Sequence, residues 1–362
     1  MADFKLANAN AKEIWSTKFA KEYVSQSGLV PFMSTSDNAI IRVNTDLAKA
    51  GDLVHIPYIR ALKGAGVTGG TTLEGNEEAL LNYSCAIKVR HVRNAVMLAE
   101  HETFRSELDY ANLARGGLKD WSAEKLRDTL IGNMQDVVIA GGNDAEGTPV
   151  EDTYKSFAAS TAGEKTAYLT ANQDRIIMGT AKATAPTNFA TSIAAVPNTA
   201  VLSADTVSLA KEMAETTASF RITPYMDKGG NKWFVLFVGV EGFRQLRKDA
   251  QISAANREAR PREVESNPMF SGGDLLWDGV IIKKIPEIAQ VGNLGASSAP
   301  IGFAALCGQN ALGVAFARKP SFRTEAKDYD HKVGVGITEI RGSTKMSAGG
   351  VQTGAVSIYY AA

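Results

Sequence analysis

Residues 52–93 read DLVHIPYIRALKGAGVTGGTTLEGNEEALLNYSCAIKVRHVR, and the spacing of their apolar side chains sets the architecture of the chain. Along Asp52 to Arg60, Val54, Ile56 and Tyr58 share one face while Leu53, His55, Pro57 and Ile59 share the other, the period-two pattern of a strand. Pro57 has no N–H to give to a ladder, which predicts an edge strand. Tyr83 to Arg93 sets Cys85, Ile87 and Val89 against Ser84, Ala86, Lys88 and Arg90, a returning strand with one face in water. Between the legs, Lys63 to Glu78 carries Gly64, Gly66, Gly69, Gly70 and Gly75, too glycine-rich for regular structure and too long for a tight turn. The stretch is a β-hairpin arm with an extended tip. Asp52 to Leu62 spans about 35 Å when extended, against a radius of gyration of about 21 Å for a compact chain of this length, so the arm is expected to project. A projecting hairpin with one apolar face is marginal alone and open to edge pairing. It is expected to be covered by another molecule.

Composition narrows the classes. The 362 residues are 44% hydrophobic and 22% charged, with Lys+Arg and Asp+Glu equal at 39 each, an ordinary globular balance with room for two or three subdomains. Zero formal net charge argues against a dedicated nucleic-acid binder. No apolar run reaches the length of a membrane span, and the opening MADFKLANANAKEIW lacks the apolar core of a signal peptide. Cys85 and Cys307 are the two cysteines, which allows no disulfide framework and no CxxC pair; both are expected in the core.

In chain order, Ala9 to Gln26 has Trp15, Phe19 and Tyr23 at helical spacing before Gly28, a helix that packs on its own core or lies as an arm on a neighbour. After the β-arm, Ala95 to Ala114 reads as a helix stopped by Gly116-Gly117. A second helix is expected from Trp121, capped by Ser122, carrying Leu126, Leu130, Met134, Val137 and Val138 inward and ended by Gly141-Gly142. Asn143 to Asn198 is rich in small residues without periodicity and reads as loops and short strands. Ser203 caps a third helix to Ser219, with Val207, Ala210, Met213 and Ala214 inward. Lys232 to Val240 (KWFVLFVGV) is a continuous apolar run after the Asp227–Asn231 turn, the signature of a strand buried on both faces. Glu241 to Lys248 reads as helix, Ala250 to Met269 as polar loop, and Asp274 to Pro286 as a hairpin turning at Asp278-Gly279. Further β-segments fall at 301–312, 313–318, 333–340 and 355–360. Strands and helices mix without a βαβ repeat, so the fold class is α+β.

Catalytic patterns fail on mechanism. Gly64 to Gly69 matches GxGxxG, but Gly70, Thr71, Thr72 and Gly75 cannot open the helix that would hold a pyrophosphate, and Lys88 stands near where the ribose acid belongs. The four histidines, His55, His91, His101 and His331, form no HExxH, since Arg105 follows His101 by four. No P-loop and no GxSxG elbow occur. No catalytic, metal or cofactor residue is assigned, and no cofactor is expected. The acids Glu77-Glu78 and Asp328/Asp330 suit a solvated surface. Basic residues gather at Lys88, Arg90 and Arg93, and at Arg244, Arg247, Lys248, Arg257, Arg260 and Arg262. They are a solvated face, or partners for a neighbour's acids such as Glu74, Glu77 and Glu78.

The order of elements resembles the major capsid proteins of tailed double-stranded-DNA bacteriophages, the Hong Kong ninety-seven fold. The likeness runs from EIWSTKFAKEYVSQSG through LVHIPYIRALKGAGVTGGTTLEGNEEAL as the extended loop, SAEKLRDTLIGNMQDVVIAGGN as the spine helix and WFVLFVGVEGFRQLRKDA entering the axial domain, to LLWDGVIIKKIPEI and ALCGQNALGVAFARKPSFRTEAKDYDHKVGVGI leaving it. It implies an N-terminal arm over 1–38, an extended loop over 39–95, a peripheral domain over 96–226 and 319–362 with a spine helix over 122–141, and an axial domain over 227–318. It also implies a non-enzymatic coat protein of the virion, assembled in the host cytoplasm, whose copies form hexamers and pentamers of an icosahedral shell around DNA. Its expected partners are itself, scaffolding, portal and cement proteins, with non-specific proximity to packaged DNA and no membrane. The expected contacts between copies are Trp15, Phe19, Lys63, Gly64, Gly66, Gly69, Glu74, Glu77, Glu78, Lys88, Arg90 and Arg93. No long charged region precedes Ala9 to act as a built-in scaffold, and no partner site for a cross-link at Lys63 can be drawn. An encapsulin-type nanocompartment shell is the alternative within the fold; a nucleotide-binding enzyme is the alternative outside it.

Overall fold

The apolar run that follows Asn231 organises the interior. In the computed structural model, residues 28–45, 53–99 (apart from 63, 65, 71, 79 and 81), 110–143, 150–259 (apart from 184, 186, 218, 219 and 228), 275–329 and 331–362 are described. Trp15, Phe19, the helix expected over 9–26 and Lys63 lie outside them. The first half of the chain runs β1 (Ile41–Asn44), β2 (Leu53–Ile59), β3 (Asn82–Lys88), β4 (Arg90–Ala99), α1 (Tyr110–Gln135), β5 (Val137–Ile139), β6 (Thr153–Lys155), α2 (Ala162–Ala171), β7 (Ile176–Met178) and α3 (Phe189–Ala194). The second half continues as α4 (Ala204–Thr216), β8 (Lys232–Val238), α5 (Val240–Lys248), α6 (Ala250–Ala259), β9 (Leu275–Trp277), β10 (Val280–Lys284), β11 (Ile301–Cys307), β12 (Leu312–Lys327), β13 (Lys332–Lys345) and β14 (Ala355–Ala361).

Strand β8 lies parallel to β10 and antiparallel to β11, with Phe234 to Val238 all buried, as the unbroken run requires. The sheet around it is eight-stranded, ordered β9-β10-β8-β11-β14-β7 and then Ala181–Lys182, with Tyr225–Met226 added against β8. Alternation divides its side chains between two cores. Val235 and Phe237 meet Leu130, Met134, Tyr168, Phe303 and Tyr359 beneath α1, α2 and α3. Phe234, Leu236 and Val238 meet Val207, Met213, Leu246 and Ile252 beneath α4, α5 and α6. Ser203 caps α4 by accepting from the Thr206 N–H, as its sequence announces. The β9–β10 hairpin turns at Asp278 (φ 46°) and Gly279 (φ 72°), the pair of positive φ values that a two-residue turn of this kind needs.

A second sheet is built on the long β12–β13 hairpin, with β4 along one side and β1 and Met33–Ser34 along the other. Helix α1 crosses one of its faces: Leu118 packs on Val335 and Ile337, and the buried Ser122 hydroxyl donates to Glu339 Oε1 at 3.2 Å. The buried Arg341 Nε in turn donates to Glu339 at 2.8 Å.

Several expectations are corrected here. Residues 95–99 are strand, not helix, because β4 continues its ladder against β13 as far as Ala99↔Lys332. Gly116-Gly117 do not stop a helix. Glycine in a helix interior costs roughly 1 kcal/mol relative to alanine, which burial of Leu118 in the same turn offsets, so α1 runs unbroken over 110–135 rather than 122–141. Ser122 therefore caps nothing, and Val137 and Val138 belong to β5. Residues 143–198 contain two capped helices: Thr161 and Glu164 form a capping box on α2, and Asn188 caps α3. Ala250–Ala259 is helical, its start held by the Asp249 carboxylate accepting from Gln251 N–H at 2.9 Å. Strand β14, within the span 319–362 that the resemblance implied for the peripheral domain, is a central strand of the eight-stranded sheet.

Candidate assembly surface

The arm is built as the alternation dictates. Strands β2 and β3 pair antiparallel from Leu53↔Lys88 to Ile59↔Asn82, and among the described residues β2 has no other strand partner, so Pro57 does sit on an edge strand. At its root the inward face is not left for another molecule. Val54, Ile56, Cys85, Ile87 and Val89 bury themselves against Ala315 and Met346 of the same chain, on the side of the five-stranded sheet away from α1. This closeness needs glycine: a Cβ on Gly342 would stand 2.1 Å from the Lys88 carbonyl oxygen. A polar chain crosses the root. The Cys85 thiol lies 3.3 Å from Tyr154 Oη, which lies 2.8 Å from Ser347 Oγ, and Ser347 donates to Asp152 Oδ2 at 2.6 Å. Burial pushes the thiol of Cys85 up, so it is a packing residue rather than a nucleophile. His55 pairs with Glu151 on the outer face.

Half-way out, Tyr58 and Tyr83 face each other across the ladder, and the ring of Phe220 stands edge-on to both. Burial raises the Tyr58 phenol, while the Arg175 charge works against that rise. No pattern in the sequence marked Phe220, an isolated aromatic in a connection.

Beyond Asn82 the arm leaves the subunit's core. Gly64, Gly66, Gly69, Glu74, Glu77 and Glu78 are all exposed, and Gly66, Gly69 and Gly75 hold positive φ values. The Gly64 N–H donates to Glu78 Oε2 at 2.5 Å and the Gly75 N–H to Glu77 Oε2 at 2.8 Å, so two of the three acids fold the tip on itself. The described residues of the GxGxxG match are thus irregular chain that ends in a turn at Gly69-Gly70, with no helix among the described residues that follow it. Leu62, Leu73 and Leu80 are 60–63% exposed on this tip. Lys88, Arg90 and Arg93 are exposed on β3 and β4, and the structure does not join them to the tip acids within the chain. Arg244, Arg247 and Lys248 line the exposed side of α5; the Arg257 side chain, Arg260 and Arg262 lie outside the described residues. Among the described residues, no group of three or more His, Cys, Asp or Glu side chains could hold a metal ion, and no helix is long and apolar enough to cross a membrane.

The sequence profile of the phage capsid proteins matches residues 4–359, nearly the whole chain. The chain belongs to the phage capsid protein family. The major capsid protein of Pseudomonas phage KPP25 is 27% identical over 351 residues, covering 92% of this chain and 89% of that one. The capsid asymmetric unit of cyanophage Pam1 superposes with a TM-score of 0.84 at 35% identity, over 100% of this chain and 99% of that one. The capsid of Ralstonia phage GP4 shares the fold, with a TM-score of 0.74 at 21% identity over 97% and 95% of the two chains. This phage capsid protein thus has the Hong Kong ninety-seven-like α+β fold that the order of its elements implied, and it is a structural component of a phage shell and virion. The encapsulin reading is not favoured.

Proposed function

We propose that this capsid protein closes, as hexamers and pentamers of itself, into an icosahedral shell around packaged double-stranded DNA, and that the tip of its β-arm is a contact between copies. The observation that carries the reading is the exposure of Leu62, Leu73 and Leu80 on a segment with none of the subunit's core beneath it, when the root of the same arm is buried. Apolar side chains gathered on a projecting tip favour a surface that is covered on assembly. Glu74, exposed on that tip, and the acids beside it suit Lys88, Arg90 and Arg93 of a neighbouring copy, with Gly64, Gly66 and Gly69 letting the backbone lie close. The role is structural rather than catalytic. The axial unit is the eight-stranded sheet with its helices, which adds β7, Ala181–Lys182, Tyr225–Met226 and β14 to the span 227–318, and the peripheral unit is the five-stranded sheet with α1, which takes in the whole of β12. Assembly takes place in the host cytoplasm, with scaffolding, portal and cement proteins as partners.

The test is removal of residues 64–75 with an Asn-Gly closure. The subunit keeps native circular dichroism, because both sheets lie outside the deletion, but gives monomers or small oligomers and no closed particles by negative-stain microscopy. A shell needs each contact repeated by symmetry, so losing one class everywhere multiplies its effect. Closed shells of normal size from the deleted protein would overturn the arm's role.

A further inference from the structure

The arm is gripped at two levels. Its root belongs to the five-stranded sheet, through Val54, Ile56, Cys85 and Ile87. Its middle is held by a residue from elsewhere. The Phe220 ring stands 5.3 Å from Tyr58 and 5.4 Å from Tyr83, centroid to centroid, at interplanar angles of 67° and 80°. These are edge-to-face geometries that favour ring pairing. Arg60 Cζ lies 5.9 Å from the centroid of the same ring, which adds a cation to its face. Tyr83 also lies against Gly349, where a Cβ would come within 3.2 Å of the ring at a backbone φ of +60°. Phe220 itself holds φ 49°, a left-handed conformation that bulky residues rarely adopt. The contacts of its ring hold the backbone against its own preference, and such residues gather where a structure must be set in place. Phe220 lies between α4 and Tyr225–Met226, the short strand that pairs with β8. The ring therefore ties the arm to the eight-stranded sheet, which the root does not. Only Ile59↔Asn82 lies beyond the Tyr58↔Tyr83 pair in the ladder, so the grip is near the last place where the hairpin can be held.

We propose that Phe220 is the positioning residue of the arm: wedged between Tyr58 and Tyr83, it fixes the angle that the hairpin, rooted in the five-stranded sheet, makes with the eight-stranded unit and hence where the tip meets the next copy. This rests on the arm being a contact between copies. Phe220→Ala removes the wedge and leaves both sheets' cores untouched, since the ring belongs to neither.

The experiment is amide hydrogen exchange on the full-length unassembled subunit. In Phe220→Ala, exchange over 53–59 and 82–88 accelerates about 10- to 100-fold, the scale of two lost ring contacts, while 232–238 and 301–307 keep their protection. Phe220→Tyr restores the arm's protection. Assembly of the Ala variant gives fewer and less regular particles, and the Tyr variant recovers them. Unchanged exchange in the arm overturns the proposal. So does an equal loss of protection in 232–238, which would make Phe220 a general packing residue. Because exchange is read on single subunits, it stands or falls apart from the tip deletion, which asks whether the arm reaches a neighbour at all.

Discussion

Strands β8 and β2 are both seven residues long, yet they use the same chemistry for opposite ends. Strand β8 is apolar at every position from Trp233 on and is buried from Phe234 to Val238. Strand β2 alternates, burying Val54 and Ile56 and turning Leu53, His55, Pro57 and Ile59 outward. The first is surrounded before any neighbour arrives, whereas the second is finished on one side only. A subunit that must be stable alone and still adhere to copies of itself separates the two tasks into different strands.

The sharpest way to break that contrast is in β8. Phe237 is fully buried and stacks edge-on with Phe32 at 5.3 Å, so Phe237→Ala should destabilise the subunit by about 3–5 kcal/mol in denaturant unfolding. Unchanged denaturation would remove β8 from the centre of the fold. A smaller effect is expected at the arm root, where Ile56→Ala should cost about 2–3 kcal/mol. Its mark is where the cost falls: protection is lost over 53–59 and 82–88 first, and a uniform loss through both sheets would erase the distinction between the two strands. The smallest effect on the subunit belongs to the tip. Glu74→Gln should leave stability within about 0.5 kcal/mol but flatten the salt dependence of assembly, since exposed charge pairs are screened over about 8 Å at physiological ionic strength. Light scattering of the unaltered protein that stays flat or rises from low to high salt would count against tip acids as interface charges.

The sequence announced the elements whose cause is local. The period-two pattern of 52–60, the apolar run of 232–240, the Ser203 cap and the Asp278-Gly279 turn each depend on residues within a few positions, and each element forms there, though the run leaves the strand at Val238 and its Val240 opens α5. Elements decided by distant partners did not announce themselves. Ala95 to Ala99 could be helix until β13 supplies a ladder, and Gly116-Gly117 look like a stop until Leu118 finds Val335 and Ile337. The arm's apolar face looked unclaimed because nothing within it mentions Ala315 or Met346, some 230 residues or more away. Of the candidate contact residues, the tip glycines and acids were visible as composition, while Phe220 was invisible because a single aromatic has no period. The Thr161-x-x-Glu164 box over α2 and the Asn188 cap of α3 are local signals too, set in a stretch whose small residues carry no period.

Both native thiols are out of reach of solvent, Cys85 on the inward face of the arm and Cys307 in the eight-stranded sheet, and burial pushes Cys307 up to about 12. The chain holds no other cysteine. Gly70, at an ordinary backbone φ with nothing within 4 Å of a Cβ, offers an open position on the tip. Gly70→Cys would therefore give each subunit a single reactive handle against a silent background, so that a maleimide dye or a tethered peptide could be placed once per copy without first stripping the protein of its own sulfur.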